Sequence, residues 1–200
     1  HEFAEHVQEP GAIGLRVVGV HEQGSTYIND GGHLNRSSIS ASLDVKLSDT
    51  FTFLADALYQ DRKTDGVIYA VFLPAPQSPE TLIPVPDPIS GHTNLSETGS
   101  YYNDQAFIGT VGLDANIASG WKANLSYRYV DMSDWFREGG VDISNADGDY
   151  TLTEYNARQI YRSNQVQALL IGQFDTGPLS HDVTFGASWQ RFDNFEDFEG

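Results

Sequence analysis

The stretch from Phe107 to Tyr129, FIGTVGLDANIASGWKANLSYRY, constrains the fold most. Phe107, Gly109, Val111, Leu113, Ala115 and Ile117 fall on one side of an extended chain. Thr110, Gly112, Asp114 and Asn116 fall on the other, with Ile108 the exception. After the short turn Ala118-Ser119-Gly120, Trp121, Ala123, Leu125, Tyr127 and Tyr129 alternate with Lys122, Asn124, Ser126 and Arg128. Period two is the pleat of a sheet with one apolar and one polar face. Each arm has about ten residues, the length a tilted strand needs to cross a bilayer. Aromatics sit near the ends of the rows, where a membrane barrel carries its girdles.

The same pattern recurs along the chain. Residues 1–8 read as the tail of a strand, and Glu9-Pro10-Gly11 as a turn. Ile13, Leu15 and Val17 begin another strand, which fades into a polar loop at 21–36. Ile39, Ala41, Leu43, Val45 and Leu47 face away from Ser38, Ser40, Ser42, Asp44 and Lys46. Ser48-Asp49-Thr50 turns the chain, and Phe51, Phe53, Ala55, Ala57 and Tyr59 continue the apolar side. Residues 61–104 show no sustained period and hold six of the eight prolines. Trp121 to about Ser144 and Asp149 to about Phe174 read as one tall hairpin, with Asp147-Gly148 at its tip. Val183, Phe185, Ala187 and Trp189 form the last clear row, and the acidic end FDNFEDFEG reads as loop. Short connections near 10, 49, 119 and 177 thus alternate with long ones, the asymmetry of outer-membrane barrels.

Charge follows the same division. The net charge is -17, yet the segments 10–20, 37–59, 105–130 and 159–191 together are neutral. The excess lies in connections and ends, which argues against nucleic acid as a partner, since phosphate binding needs a basic footprint. The absence of cysteine excludes disulfides and thiolate metal sites. Mean hydropathy is negative, which does not argue against a barrel, whose strands show lipid every second residue. The chain opens on His1 rather than Met and reads as a mature piece or a fragment.

Two metal patterns fail on spacing. His1, Glu2 and His6 miss the H-E-x-x-H zinc spacing by one place. Asn145, Asp147 and Asp149 suggest a calcium loop, but its glycine comes two places early and its twelfth position is Asn156. No carboxylate pair is marked as catalytic, and Ser, His and Asp lack motif context. The reading is therefore a non-enzyme without cofactor or metal.

Residues 148–192, GDYTLTEYNARQ…NQVQALLIGQFDTGPLSHDVTFGASWQRF, resemble a TonB-dependent siderophore receptor. The resemblance extends to 119–131, 36–62 and 13–30. It implies an all-β fold: an antiparallel up-and-down meander of about eight strands, part of a transmembrane outer-membrane β-barrel. Residues 1–200 would form one partial barrel domain, without the family's plug or its TonB-contacting segment. It implies location in the bacterial outer membrane, contact with outer-membrane lipid, and uptake of a ferric siderophore or similar scarce nutrient. It also implies coupling to the TonB complex through a missing N-terminal part. An alternative from strand alternation alone is a secreted all-β module binding carbohydrate or another ligand.

Expectations follow for topology and site. Neighbouring strands pair antiparallel in chain order. Turns 48–50, 118–120 and 176–179 share one end; loops 21–36 and 61–104 and the 145–149 tip share the other. A bulky ferric complex needs aromatic anchors and hydrogen-bond donors, expected in the long loops rather than in the wall. The candidates are Tyr101 and Tyr102, above the strand starting at Gln105, and Trp135, Phe136 and Arg137, above Tyr129. Rim aromatics also serve as girdle residues.

Overall fold

The structure is a computed structural model that describes residues 3–8, 12–29, 31–66, 68–73, 87–145 and 147–198. The Glu9-Pro10-Gly11 turn, His1 and Glu2 of the discarded zinc pattern, and the proline run as far as 86 lie outside these residues. Among the described residues nine strands form one sheet. They are β1 (Phe3–Gln8), β2 (Ile13–Ser25), β3 (His33–Lys46), β4 (Phe51–Asp65), β5 (Ile68–Phe72), β6 (Tyr101–Ala118), β7 (Trp121–Ile143), β8 (Tyr150–Thr176) and β9 (Leu179–Phe198).

Eight strands follow the order β1-β2-β3-β4-β6-β7-β8-β9, each antiparallel to the next. The register carries the alternation of each strand into continuous rows. Leu15, Leu43, Ala55, Val111, Tyr127, Val166 and Trp189 are successive partners across seven strands. One residue further along each strand, Arg16, Ser42, Asp56, Thr110, Arg128, Gln165 and Gln190 form the matching polar row. A slip of one residue in any pair would break both rows, so the pattern fixes the register.

The turns at 48–50, 118–120 and 177–178 lie at one end of the sheet. The β2–β3 loop, the long β4–β6 connection and the β7–β8 tip lie at the other. The tip is held by Asn145, whose Oδ1 accepts hydrogen bonds from the backbone N–H of Asp147 and Asp149 at 3.0 and 3.1 Å.

The structure departs from the sequence reading in the long connections. β2 runs to Ser25, β4 to Asp65, and β6 begins at Tyr101, so parts of both expected loops are strand. The acidic end is also strand, with β9 paired to β8 as far as Phe198. Above the apolar rows aromatic, apolar and polar residues occur on both faces, so period two fades while the backbone ladder continues. The ninth strand, β5, interrupts chain order. It pairs parallel with β7 at Gly139–Asp142, where β7 has risen past the start of β6. The chain leaving β4 thus keeps its direction and fills the vacant edge of β7.

The sheet has almost no packed core. Ala106, Val141 and Ala157 are its only buried apolar residues among those described. On the apolar face Leu125, Phe185 and Trp189 are exposed by 55–62 %. On the polar face Asp104 and Asp134 are buried, so the sheet is less accessible on its polar side. No second sheet covers the apolar rows among the described residues, as a sandwich would require.

Candidate ligand-facing wall

β7 and β8 have 23 and 27 residues, about 75 and 90 Å of extended chain at roughly 3.3 Å per residue. A hydrocarbon core is about 30 Å thick. The upper parts of β6, β7 and β8 therefore stand beyond the apolar rows. Charges mark the border on the same face: Arg162 Nε lies 2.9 Å from Asp131 Oδ2, and Arg191 Nε lies 3.0 Å from Asp193 Oδ2.

All five candidate residues lie in this upper wall, inside strands rather than in loops. Tyr101 partners Arg137, Tyr102 partners Phe136, and Asn103 partners Trp135. The strands bring the five together but divide them between faces. Tyr101, Trp135 and Arg137 continue the apolar-face rows of Phe107 and Tyr129. Tyr102 and Phe136 continue the polar-face rows of Thr110 and Arg128.

On the apolar-face side the side chains engage one another. Arg137 donates from Nε and Nη2 to the two oxygens of Glu154, both at 2.9 Å. This fork raises the Arg137 pKa and lowers that of Glu154. The Arg158 guanidinium lies 4.8 Å from the Trp135 ring centre, and Lys63 Nζ lies 5.8 Å from that of Tyr101. Below the loops, a cavity of about 720 Å³ opens beside Lys63, Asp65 and Tyr101.

On the polar side Tyr102 and Phe136 stack, centroids 5.7 Å apart and planes 7° from parallel. Below them runs a belt of register partners: Glu22, Arg36, Arg62, Asp104, Asp134, Gln159 and Glu196. Arg36 pairs with Glu22 at 2.6 Å, Arg62 with Asp104 at 2.5 Å, and Gln159 donates to Glu196 at 2.5 Å. The Tyr102 hydroxyl donates to Asp134. Burial, then the charge of Asp134, pushes the Tyr102 phenol well above its usual range. Burial likewise raises the carboxyl pKa values of Asp134 and Glu138.

Sequence reasoning missed Asp104, Asp134, Glu138 and Arg62. The signal was present: counting upward by twos from Thr110 and Arg128 reaches Asp104, Tyr102, Asp134, Phe136 and Glu138. The arrangement offers stacking surface and carboxylate acceptors, the equipment of a binding wall.

A single sheet with exposed apolar rows on one face, a less accessible polar face, short turns at one end and tall hairpins at the other defines a class. It has the fold of a stretch of outer-membrane barrel wall. Solved structures share this fold. The chain superposes on BauA, the ferric preacinetobactin receptor of Acinetobacter baumannii, with a TM-score of 0.80, covering 99% of this chain and 28% of that one at 17% identity. It superposes on the ferripyoverdine receptor of the outer membrane of Pseudomonas aeruginosa with a TM-score of 0.75, covering 98% and 26% at 17% identity. In sequence it is 24% identical over 179 residues to the ferrichrome receptor FcuA of Yersinia enterocolitica, covering 87% of this chain and 22% of that protein. No protein-family model matches. The chain spans about a quarter of the length of these relatives.

Proposed function

We propose that residues 1–200 are part of the barrel of a TonB-dependent outer-membrane receptor that takes up ferric siderophores. One observation carries this reading: apolar rows in register across seven strands remain exposed on one face. Exposed apolar surface on this scale needs a partner, and lipid fits a band bordered by Tyr, Trp and ion pairs. The polar face then lines the lumen, and Tyr102 and Phe136 face the cargo. Tyr101, Trp135 and Arg137 instead stand on the outer wall. The protein acts as a receptor rather than an enzyme: it binds and passes an intact complex. Outer-membrane lipid and the TonB complex are its other partners, the latter through parts of the receptor outside this chain.

The test is uptake of radiolabelled iron as ferrichrome, and as ferric complexes of other hydroxamates and catecholates. The cells carry the full-length receptor and lack their own receptors. Energy-dependent uptake of at least one complex, with the protein in the outer-membrane fraction, supports the proposal. A correctly inserted receptor that transports none of them overturns it.

A further inference from the structure

Glu138 is a buried acid with no visible counter-charge. It is 6 % exposed, and no described residue donates a hydrogen bond to it or pairs with it. It lies on the polar face of β7, on the same side as Asp134 and Phe136, and partners Tyr155 across the ladder. The two arginines of the belt are engaged, Arg36 with Glu22 and Arg62 with Asp104. Asp134, 7 % exposed, accepts from the Tyr102 hydroxyl and feels the charge of Arg62, whose own ion pair is with Asp104. Between the two carboxylates along β7 sits Phe136, stacked on Tyr102.

Buried charge is costly unless it is paired. Carboxylates flanking an aromatic face match one chemistry: an alkylammonium or guanidinium, held by charge-assisted hydrogen bonds and the ring quadrupole. We infer that Asp134, Glu138 and the Tyr102–Phe136 stack form a recognition site for a cationic group carried by the ferric complex. This rests on the uptake reading above. It narrows the cargo to complexes bearing a protonated amine or guanidinium, and disfavours polyanionic complexes such as ferric tris-catecholates. Such a cation would also place a donor beside the unpaired carboxylate of Glu138.

Two probes test it on the full-length receptor in detergent: the ferric complex of a linear trihydroxamate with a free terminal amine, and the same complex N-acetylated. An ionic hydrogen bond predicts about tenfold tighter binding of the amine form, measured by fluorescence titration. Glu138→Gln should cut that ratio to about threefold or less, and Asp134→Asn should reduce it too. Arg137→Ala, on the outer wall, should keep it. Equal binding of both complexes by the wild type overturns the inference and leaves the uptake reading standing. Failure to bind or transport any ferric complex overturns the uptake reading itself. The cation could instead belong to another part of the receptor chain. In that case Glu138→Gln would lower the thermal stability of the ligand-free receptor and the amine preference would be absent, which also overturns the inference.

Discussion

Tyr102 on β6 and Phe136 on β7 are register partners, and their rings stack 5.7 Å apart within 7° of parallel on the polar face. An aromatic pair of this kind contributes about 0.5–1.5 kcal/mol beyond burial. Phe136→Ala in the full-length receptor should therefore weaken ferric-complex binding by roughly threefold to tenfold. Trp135→Ala, one residue away and on the other face, should change it by less than about twofold. Titration at matched surface levels checks both; equal effects would mean that the faces do not separate ligand from wall.

Leu125 and Asn124 test the direction of the sheet. Leu125 lies in the apolar row between Leu113 and Ala168, and Asn124 donates to Asp114 on the polar face. Leu125→Arg should cost roughly 2–4 kcal/mol near the bilayer midplane. Asn124→Arg should cost far less. Unfolding of the full-length receptor in lipid bilayers, followed with denaturant, measures both.

Trp121 lies over Gly172. A Cβ added at Gly172 would stand 2.3 Å from the Trp121 ring, which also stacks with Phe174 at 6.4 Å. The aromatic covers a glycine that leaves room for it. Gly172→Ala should displace the ring and cost about 1–3 kcal/mol. A shift in tryptophan emission, with loss of heat stability, is the expected readout.

Gly66 joins two loops at the other end. Its φ is +69°, and a Cβ there would lie 2.4 Å from the backbone N of Gly32. Gly66→Ala combines a left-handed backbone with a backbone clash and should cost at least about 1–2 kcal/mol locally. Faster protease cleavage within 26–32 or 90–100 on intact cells, with the barrel still inserted, is the expected result.

Asp134 and Glu138 set a pH dependence. Burial raises both carboxyl pKa values in the folded protein, so the folded state holds more protons than the unfolded one above about pH 4. Their contribution is most favourable at low pH and is lost as pH rises through the raised values. Glu138→Gln should flatten the fall in thermal stability of the ligand-free receptor from about pH 4 to pH 8. An unchanged slope would show that Glu138 does not carry it.

The wall was legible where one face is apolar and the other polar. Val111, Leu113, Leu125 and Tyr127 alternate with polar neighbours, and the structure places them in the rows that alternation implies. The β6–β7 and β8–β9 turns were legible for the same reason, since turn residues interrupt strong alternation. The upper wall was less legible. Asp134, Trp135, Phe136, Arg137 and Glu138 show no apolar period, yet they are strand, because β8 continues the ladder beside them. β5 gave no local sign of a parallel partner; its place depends on β7 rising past β6.

By itself, the sequence determined the antiparallel meander and the ends at which its turns lie. Period-two hydropathy specifies a face at each position, and a one-residue slip reverses it. Only the tertiary structure decided that the strands continue through the candidate site, and that Glu138 is buried without a counter-charge. Those properties depend on what lies across the ladder and on the unequal accessibility of its two faces, which hydropathy along one strand does not encode.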